Sequence, residues 1–375
     1  MLQRKDSSQK ETTPIQILLI FDAAKITSHK MKKKKRTILL SILIGTFLLC
    51  VIAGGTIYYY LFAPQFHPSK TVYIYVDRDD TADSITNKIK KFGYVNKLTG
   101  FHWMAKYKNL EQNIHTGRYA IRPNDNAYHV YSRFSRGYQE PMNLTVGSVR
   151  TLERLARSMG KQLMIDSAEI ARRLFDSTVQ ARLGYTEATL PGLFIPETYQ
   201  VYWDMSADEL IERMRKEHER FWNKERLAQA TAIGMTPEEV STLASIVEEE
   251  TNNNEEKPMV AGLYINRLHK DMPLQADPTI KFALQDFGLR RITNEHLKID
   301  SPYNTYINTG LPPGPIRIPS KKGIDSVLNY TKHNYIYMCA KEDFSGTHNF
   351  ASNYAEHMAN ARKYWKALNE RKIFK

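Results

Sequence analysis

The feature that most constrains this chain is one long stretch without charge. Ile38 to Ala63 covers 26 residues and contains no Asp, Glu, Lys or Arg. At about 1.5 Å of helix per residue, it is long enough to cross a hydrocarbon layer of about 30 Å. Five cationic residues, Lys32–Arg36, precede it, and Tyr58–Tyr60 near its end suit a headgroup interface. The sequence therefore predicts a single transmembrane helix at 38–63. It follows a basic cytoplasmic tail at 1–37, and the rest of the chain lies outside the membrane.

A cleaved signal peptide is the alternative for this stretch. The apolar run is longer than the roughly 7–15 residues of a signal peptide, and no A-x-A cleavage site follows it. Both observations favour a retained anchor. Met31 stands directly before the cationic run and would make a normal start for a membrane anchor, so we expect native translation to begin there.

The distribution of charge and cysteine limits the classes of function. The chain carries a net charge of +13, and residues 1–36 supply +7 of it through ten Lys/Arg against three Asp/Glu. The weakly basic remainder argues against a nucleic-acid partner and is compatible with an anionic polymer or membrane surface. Cys339 is the only cysteine beyond the apolar stretch. An intramolecular disulfide and a cysteine-built metal site are therefore excluded there.

The region after the apolar stretch has the pattern of a small α+β module. Alternating apolar residues predict strands, and helical spacing with capping residues predicts helices. The predicted order is a strand at Thr71–Val76, helices at Ala82–Gly93 and Leu98–Lys106, a strand at Thr116–Ile121 and a helix at Asn126–Arg136. We assign this module to residues 71–140.

A larger mixed region, residues 141–375, follows. It opens with a predicted strand at Met142–Val146, and predicted helices lie at Thr151–Met159, Asp166–Asp176, Ala207–Ala230 and Asn353–Lys375. Thr189–Trp203 is rich in Pro, Gly and aromatic residues, which predicts either an ordered loop over a groove or a loop packed on the core. The fold class expected for the whole chain is α+β.

A run of three glutamates ends a strongly signalled helix. Thr236 and Pro237 form a typical helix start, and the helix is predicted to continue to about Asn252. On a helical wheel, Glu249 falls opposite the apolar face, Glu248 on its border and Glu250 beside it. The wheel therefore predicts that Glu249 is solvated and that Glu250 points inward.

An inward glutamate must be paired or protonated, because a bare buried carboxylate costs several kcal/mol. A protonated glutamate in a groove is suited to general acid catalysis, since burial brings its pKa from about 4.3 toward neutral pH. The alternative is a structural glutamate that holds an arginine, for which Arg267 is a candidate. The wheel alone leaves both interpretations open.

Other catalytic patterns are missing, while polar clusters follow the helix. The chain has no H-E-x-x-H, G-x-S-x-G or phosphate-binding glycine loop. The clusters read AGLYINRL, LQADPT, SPYNTYINTGLPPGPI and GTHNF, and they combine amides, hydroxyls and aromatic rings with turn residues. Each cluster alone is typical of an ordinary turn. Together with an inward glutamate they indicate a carbohydrate groove.

The motifs SIVEEET, YINRL, LQADPTIKFAL, SPYNTYINTGLPPGPI and GTHNF resemble, in order and spacing, those of the endolytic murein transglycosylases. The resemblance covers residues 70–370 and implies a LysM-like module at 71–140 before a catalytic domain. It implies that Glu250, directly before Thr251, is the catalytic glutamate and that Glu248 supports it. Val146-Gly147 departs from the family, which usually has Glu-Gly there. The expected groove or supporting residues are Asn266, Arg267, Gln275, Asp277, Thr279, Tyr303, Asn304, Thr305 and His348.

The reaction implied by this resemblance is cleavage of the β-1,4 bond between N-acetylmuramic acid and N-acetylglucosamine, with formation of a 1,6-anhydro ring. It needs one carboxylate and neither metal nor cofactor. The family also implies an inner-membrane location, an extracytoplasmic catalytic domain, termination of glycan strands, and peptidoglycan synthases and elongation or division proteins as partners. Two rivals remain: a non-catalytic peptidoglycan-binding scaffold and an ordinary hydrolase.

Overall fold

A computed structural model describes residues 14–371 except 94 and 96, and it has a mixed α+β architecture, which confirms the predicted fold class. The predictions made for residues 1–13 and 372–375 lie outside the described residues. The chain divides into two compact units. The first holds the described residues up to Ile74 together with 80–115 and 119–138, and the second holds 75–79, 116–118 and everything from Gln139 onward.

The first helix of the chain, α1, runs from Pro14 to Leu61. Its part from Lys25 to Leu61 is the one helix in the described chain that is long and apolar enough to cross a membrane. Large apolar side chains along it are exposed, with Phe47 at 67% and Leu49 at 66%, so no protein core covers this surface. The predicted span lies inside α1 except for its last two residues, since α1 ends at Leu61, and the helix extends back through most of the predicted basic tail.

The remaining elements of the first module follow the predicted order. They are β1 (Val72–Val76), α2 (Ala82–Phe92), α3 (Thr99–Tyr107), β2 (Gly117–Ile121) and α4 (Ala127–Ser135). β1 pairs with β2 in a two-stranded sheet. The Thr81 side chain accepts a hydrogen bond from the Ser84 N–H and caps α2. Ile85 and Ile89, which lie at helical spacing, are completely buried, whereas Phe92 at the same spacing is 46% exposed.

The second unit begins with an antiparallel pair, β3 (Met142–Val146) and β4 (Glu197–Val201), in the register Met142↔Val201 and Val146↔Glu197. β4 lies within the segment 189–203, and Leu193 and Phe194 of that segment are buried in the core. The alternative of packing on the core is therefore confirmed for these residues, while Pro191 of the same segment lies on a cavity.

Five helices accompany this sheet: α5 (Leu152–Gly160), α6 (Ser167–Leu174), α7 (Ser177–Leu183), α8 (Ala207–Phe221) and α9 (Lys224–Ala232). One of these helices, α7, was not predicted, and one long predicted helix is divided. Asp176 caps the separate α7 instead of ending α6. Asn223 interrupts the predicted Ala207–Ala230 helix, because its side chain accepts the Arg226 N–H and starts α9.

The last part of the second unit surrounds a central helix, α10 (Pro237–Glu250). Its neighbours are α11 (Lys257–Leu268), α12 (Asp277–Ala283), α13 (Lys321–Leu328), the antiparallel strands β5 (Tyr337–Ala340) and β6 (His348–Ala351), and α14 (Tyr354–Glu370). Val240, Leu243 and Val247 are completely buried against this shell. The shell therefore holds the C-terminal end of α10 in place.

Candidate active site

The helix α10 starts as its sequence predicts. Thr236 accepts the Glu239 N–H while the Glu239 carboxylate accepts the Thr236 N–H, which completes the capping box. The helix ends at Glu250, two residues before the predicted Asn252, because Thr251 has an extended backbone. This end places Glu250 in the last helical position, at the wall of a cavity.

Glu250 has a neutral partner and a low-polarity environment. The Tyr264 hydroxyl donates to Glu250 Oε1 at 2.8 Å. Burial raises the pKa of Glu250 to about 7, with the Tyr264 hydrogen bond opposing the rise and the charge of Asp277 adding to it. The carboxyl group is therefore largely protonated at slightly acidic pH, as a general acid must be.

The proposed structural pairing of Glu250 with Arg267 was wrong. The Arg267 guanidinium donates to the Pro273 carbonyl at 2.9 Å, to the Ile336 carbonyl at 3.0 Å and to Gln275 Oε1 at 2.7 Å. These bonds connect the end of α11 to the strand β5 and to the segment before α12. Arg267 thus forms part of the cavity wall, and its guanidinium bonds these oxygens instead of the Glu250 carboxyl.

The cavity beside Glu250 has a volume of about 370 Å³, within the range of small-ligand sites. Five of the expected site residues lie on it: Glu250, Arg267, Gln275, Asp277 and His348. Its wall is completed by Leu263, Tyr264, Leu274, Tyr306, Tyr337, Met338, Cys339, Ala340 and His357. The cavity therefore combines the Glu250 acid and the Asp277 carboxylate with amide, phenol, imidazole and guanidinium groups.

Two hydrogen-bonded pairs fix the polar side of the cavity. The Tyr306 hydroxyl donates to Asp277 Oδ1 at 2.5 Å. Gln275 has a positive φ of 51°, a conformation that a residue with a side chain rarely adopts, and its N–H donates to the Thr305 carbonyl at 3.0 Å. Strained backbone that neighbouring structure holds in place is common at functional sites. From this position the Gln275 side-chain oxygen accepts the hydrogen bond from Arg267.

His348 is held from behind by a buried carboxylate. Glu256, which is 8% exposed, accepts the His348 N–H at 2.7 Å and lies 2.9 Å from His348 Nδ1. A carboxylate oxygen accepts hydrogen bonds, so Nδ1 is the ring nitrogen that carries the proton and donates to Glu256. Nε2 is then the ring nitrogen left to interact with a ligand. Sequence analysis included His348 and missed Glu256, because 92 residues separate the two.

Three expected groove residues form a buried framework instead. Thr279, Asn304 and Thr305 are at most 1% exposed. The Thr279 and Thr305 hydroxyls lie 2.8 Å apart, and the Asn304 amide donates to the Leu297 and Ile299 carbonyls at 2.9 and 2.8 Å. The expectation that Asn304 and Thr305 line the groove was wrong, while the burial of Thr279 is compatible with a supporting position. Their polar groups bond the backbone and fix the loop that carries Tyr306.

Asn266 and Tyr303 also lie away from the cavity around Glu250. The Asn266 amide donates to the His333 and Tyr335 carbonyls at 2.7 and 3.0 Å, so it ties α11 to the segment that enters β5. Tyr303 lies on a second cavity of about 530 Å³, where its ring centroid is 4.7 Å from that of Phe282. Neither residue contacts Glu250.

The two other glutamates of the run have structural partners. Glu248 accepts the Ser320 N–H at 2.7 Å, at the start of α13, and its supporting role in catalysis stays a prediction. Glu249 accepts two bonds of 2.8 Å from Arg150 and one of 2.9 Å from Arg317. Its side chain is only 12% exposed, so the prediction of a solvated Glu249 was wrong.

The reason for this error lies on the back of α10. Ser241, Thr242 and Ser245 are buried as well as the apolar face, so the middle of the helix, residues 240–247, has no solvated side. The Ser245 hydroxyl accepts the Ile316 N–H at 3.0 Å, which places the segment before α13 against that back. A helical wheel assumes one wet face, and a central helix has none.

Sequence analysis also missed Tyr306, Tyr337 and His357 as cavity residues and did not assign Tyr264 a role. Tyr264 and Tyr306 lie within motifs that it selected, and their hydroxyl groups were the available signal. His357 lies on α14, outside every motif. Burial lowers its pKa, and the nearby Arg267 charge adds to the effect. Among the described residues no group of His, Cys, Asp and Glu is arranged to hold a metal ion.

Comparison with known proteins agrees with this picture. The model of the YceG-like family matches residues 74–363. A protein of Streptococcus pneumoniae serotype 2 (strain D39 / NCTC 7466) named endolytic murein transglycosylase is 27% identical over 354 residues, covering 85% of this chain and 64% of that protein. A protein of the same name from Bacillus subtilis (strain 168) is 28% identical over 342 residues, covering 86% and 93%.

A solved structure shows a related fold. The crystal structure of a putative YceG-like protein from Listeria monocytogenes has a TM-score of 0.52 and 26% identity, covering 78% of this chain and 99% of that one. The site and fold define an α+β protein built around one desolvated carboxyl group. The chain belongs to the YceG-like family. It spans about two thirds of the length of the pneumococcal relative.

Proposed function

We propose that this protein is an endolytic lytic transglycosylase that cleaves the β-1,4 bond between N-acetylmuramic acid and N-acetylglucosamine in nascent peptidoglycan. The observation that carries the proposal is the Glu250 carboxyl group, which is bonded to Tyr264 in a polar cavity and whose pKa burial raises to about 7. Curated relatives carry the name of this activity. The Gln275 amide and the Tyr306 and Tyr337 rings suit the hydroxyl groups and ring faces of sugars.

The chemistry uses one carboxyl group in two steps. Glu250 first gives its proton to the glycosidic oxygen as the bond from that oxygen to muramic C1 breaks. The muramic C6 hydroxyl oxygen then attacks C1 and closes the 1,6-anhydro ring, and its proton returns to the Glu250 carboxylate. Atoms and protons balance without water, and the acid is restored for the next cycle. A hydrolase would instead need a second carboxylate to activate water.

The other side chains of the site prepare these steps. The Tyr264 hydrogen bond stabilises the Glu250 carboxylate between the two proton transfers, since it favours the charged form. His348, held by Glu256, and Gln275, held by Arg267, present fixed polar groups to the sugar. Fixed partners lower the entropy cost of orienting the muramic C6 hydroxyl against C1.

The same proposal assigns the parts of the chain. Residues 1–37 form the cytoplasmic tail, 38–63 the membrane span, 71–140 a LysM-like module and 141–375 the catalytic domain outside the membrane. The long apolar helix and the cationic run before it support the inner-membrane, single-pass topology. This position next to growing glycan strands fits termination of strand elongation, with peptidoglycan synthases and elongation or division proteins as partners.

The experiment uses the full chain in detergent with purified uncross-linked glycan strands, and mass spectrometry of the products. We expect 1,6-anhydromuramic ends from the wild type and at least about a 10³-fold lower rate from E250Q, which keeps the shape of Glu250 but has no acidic proton. Reducing ends would identify a hydrolase instead. Binding without products would favour the scaffold, and full activity of E250Q would refute the assignment of Glu250.

A further inference from the structure

Helix α3 of the first unit carries an exposed aromatic and cationic surface. Trp103 is 50% exposed and Tyr107 is 85% exposed, and Lys106 and Lys108 beside them are exposed as well. We call these four residues with Met104 the α3 surface. Residues 97–108 contain three lysines and no acidic residue. An exposed patch of large apolar groups usually marks a binding site.

The α3 surface adjoins the end of the apolar helix α1. The ring centroids of Tyr60 and Trp103 are 5.7 Å apart. Ile57 and Leu61 of α1, together with all five residues of the α3 surface, line an open cavity of about 870 Å³. This cavity lies in the first unit and is separate from the cavity of Glu250. One of its walls is therefore the last two turns of the proposed membrane span.

The length of the span gives the depth of this cavity. The 24 uncharged residues of α1 from Ile38 to Leu61 extend over about 36 Å, against about 30 Å of hydrocarbon. If these residues are centred in the membrane, the hydrocarbon ends about two residues before Leu61, near Tyr59. Ile57 then lies inside the hydrocarbon, and side chains packed beside Ile57 and Leu61 lie at the boundary with the headgroups.

We propose that the α3 surface is an interfacial membrane-binding site. Its ligand is phospholipid in the outer leaflet of the same membrane that α1 spans. Trp103, Met104 and Tyr107 contact the acyl chains and glycerol region, and Lys106 and Lys108 extend to the phosphates. Tyr and Trp suit this layer because each has an apolar ring and a polar group. The proposal rests on the membrane topology given above.

The test places one spin label at a time in the full chain, in nanodiscs that contain phosphatidylcholine and phosphatidylglycerol. A C50S/C339S background leaves Y107C as the single labelled site, and electron paramagnetic resonance measures its accessibility to oxygen and to a water-soluble nickel chelate. F92C is the matched control. Phe92 is a 46% exposed aromatic of the same unit with Lys91 over its ring, as Lys108 lies over Tyr107.

We expect an oxygen-to-nickel accessibility ratio several-fold higher at position 107 than at position 92. K106E/K108E should lower the ratio at position 107 in anionic discs. Equal, water-like ratios at positions 107 and 92 would overturn the proposal. A label at Leu49, exposed in the middle of the span, separates the two failures. If the accessibility ratio is typical of lipid at position 49 but of water at position 107, only this inference is refuted. If the ratio at position 49 is also typical of water, the proposed topology is refuted.

Discussion

Glu249 and Glu250 are neighbours in one helical turn, yet their surroundings are opposite. Glu249 accepts three charge-assisted hydrogen bonds from Arg150 and Arg317, which compensate its negative charge. Glu250 has one neutral donor, Tyr264, and burial raises its pKa to about 7. A step of about 100° around a buried helix therefore separates a structural anion from a proton donor. The following predictions test this contrast.

The largest effect is expected from removing the anion. E249A leaves Arg150 and Arg317 without their shared carboxylate, and we expect the free energy of unfolding to fall by about 1–3 kcal/mol. Since the end of α10 also carries Glu250, a shift of about 1 Å there would lower the rate about 10²-fold. Denaturant unfolding followed by tryptophan fluorescence and the rate of anhydro-product formation measure the two effects.

E197Q is the matched control for this substitution. Glu197 also forms an ion pair, with Lys321, but its side chain is 49% exposed. Pairs at that exposure contribute about 0–1 kcal/mol, so its removal should change stability little. Equal stability losses in E249A and E197Q would contradict the structural role of Glu249.

The pH dependence of the rate tests the other half of the contrast. The glycosidic oxygen needs the protonated form of Glu250, so the rate should be level at mildly acidic pH. It should fall about tenfold per pH unit above about 7. Initial rates between pH 5 and 9 at saturating glycan measure this profile. A rate that rises through pH 7 would show that Glu250 acts first as a base.

Stability should respond to pH through the same group. The pKa of Glu250 is higher in the folded chain than its ordinary value of 4.5, so the folded state binds more protons between pH 4.5 and about 7. The stabilisation from the neutral acid is therefore present at low pH and is lost as the pH rises through about 7. At pH 8 we expect E250Q to be more stable than the wild type by on the order of 1–2 kcal/mol.

Thermal unfolding at pH 4.5 and pH 8 checks this difference. Glutamine is neutral at both values, so the advantage of E250Q should be absent at pH 4.5, where both side chains are uncharged. Equal stability of E250Q and the wild type at pH 8 would mean that Glu250 is not desolvated. E250Q would then be inactive for another reason than the loss of a raised-pKa acid.

Local signals in the sequence predicted the starts of elements and the inward glutamate well. The Thr236 capping box needs residues only three positions apart, and its geometry is confirmed. The break at Asn223 was missed because the apolar spacing of α8 and α9 can be read as continuous, and only the cap separates them. A capping hydrogen bond between near residues can therefore be predicted from sequence when no continuous apolar pattern runs through the cap.

Bonds over long sequence distances explain the other errors. Arg150 and Arg317 lie 99 and 68 residues from Glu249, and no local pattern connects them. Thr279 and Asn304 lie in motifs rich in polar groups, yet their side chains turn to buried backbone. A motif shows which groups are present. Whether a group faces a ligand or the chain depends on tertiary packing.

The smallest predicted effect distinguishes the contribution of the Tyr264 hydrogen bond to the pKa of Glu250 from the contribution of burial. Y264F removes the one hydrogen bond that favours the Glu250 carboxylate and leaves the burial, so the pKa of Glu250 should rise further. The high-pH limb of the rate profile should therefore move to higher pH, while the rate at pH 6 changes by less than about tenfold.

Y306F is the control. It makes the same exchange in the same cavity, but the Tyr306 hydroxyl bonds Asp277 instead. The high-pH limb of the Y306F rate profile should stay at the wild-type pH, whatever the effect of the substitution on the rate itself. Identical limbs in Y264F and the wild type would mean that burial alone sets the acidity of Glu250.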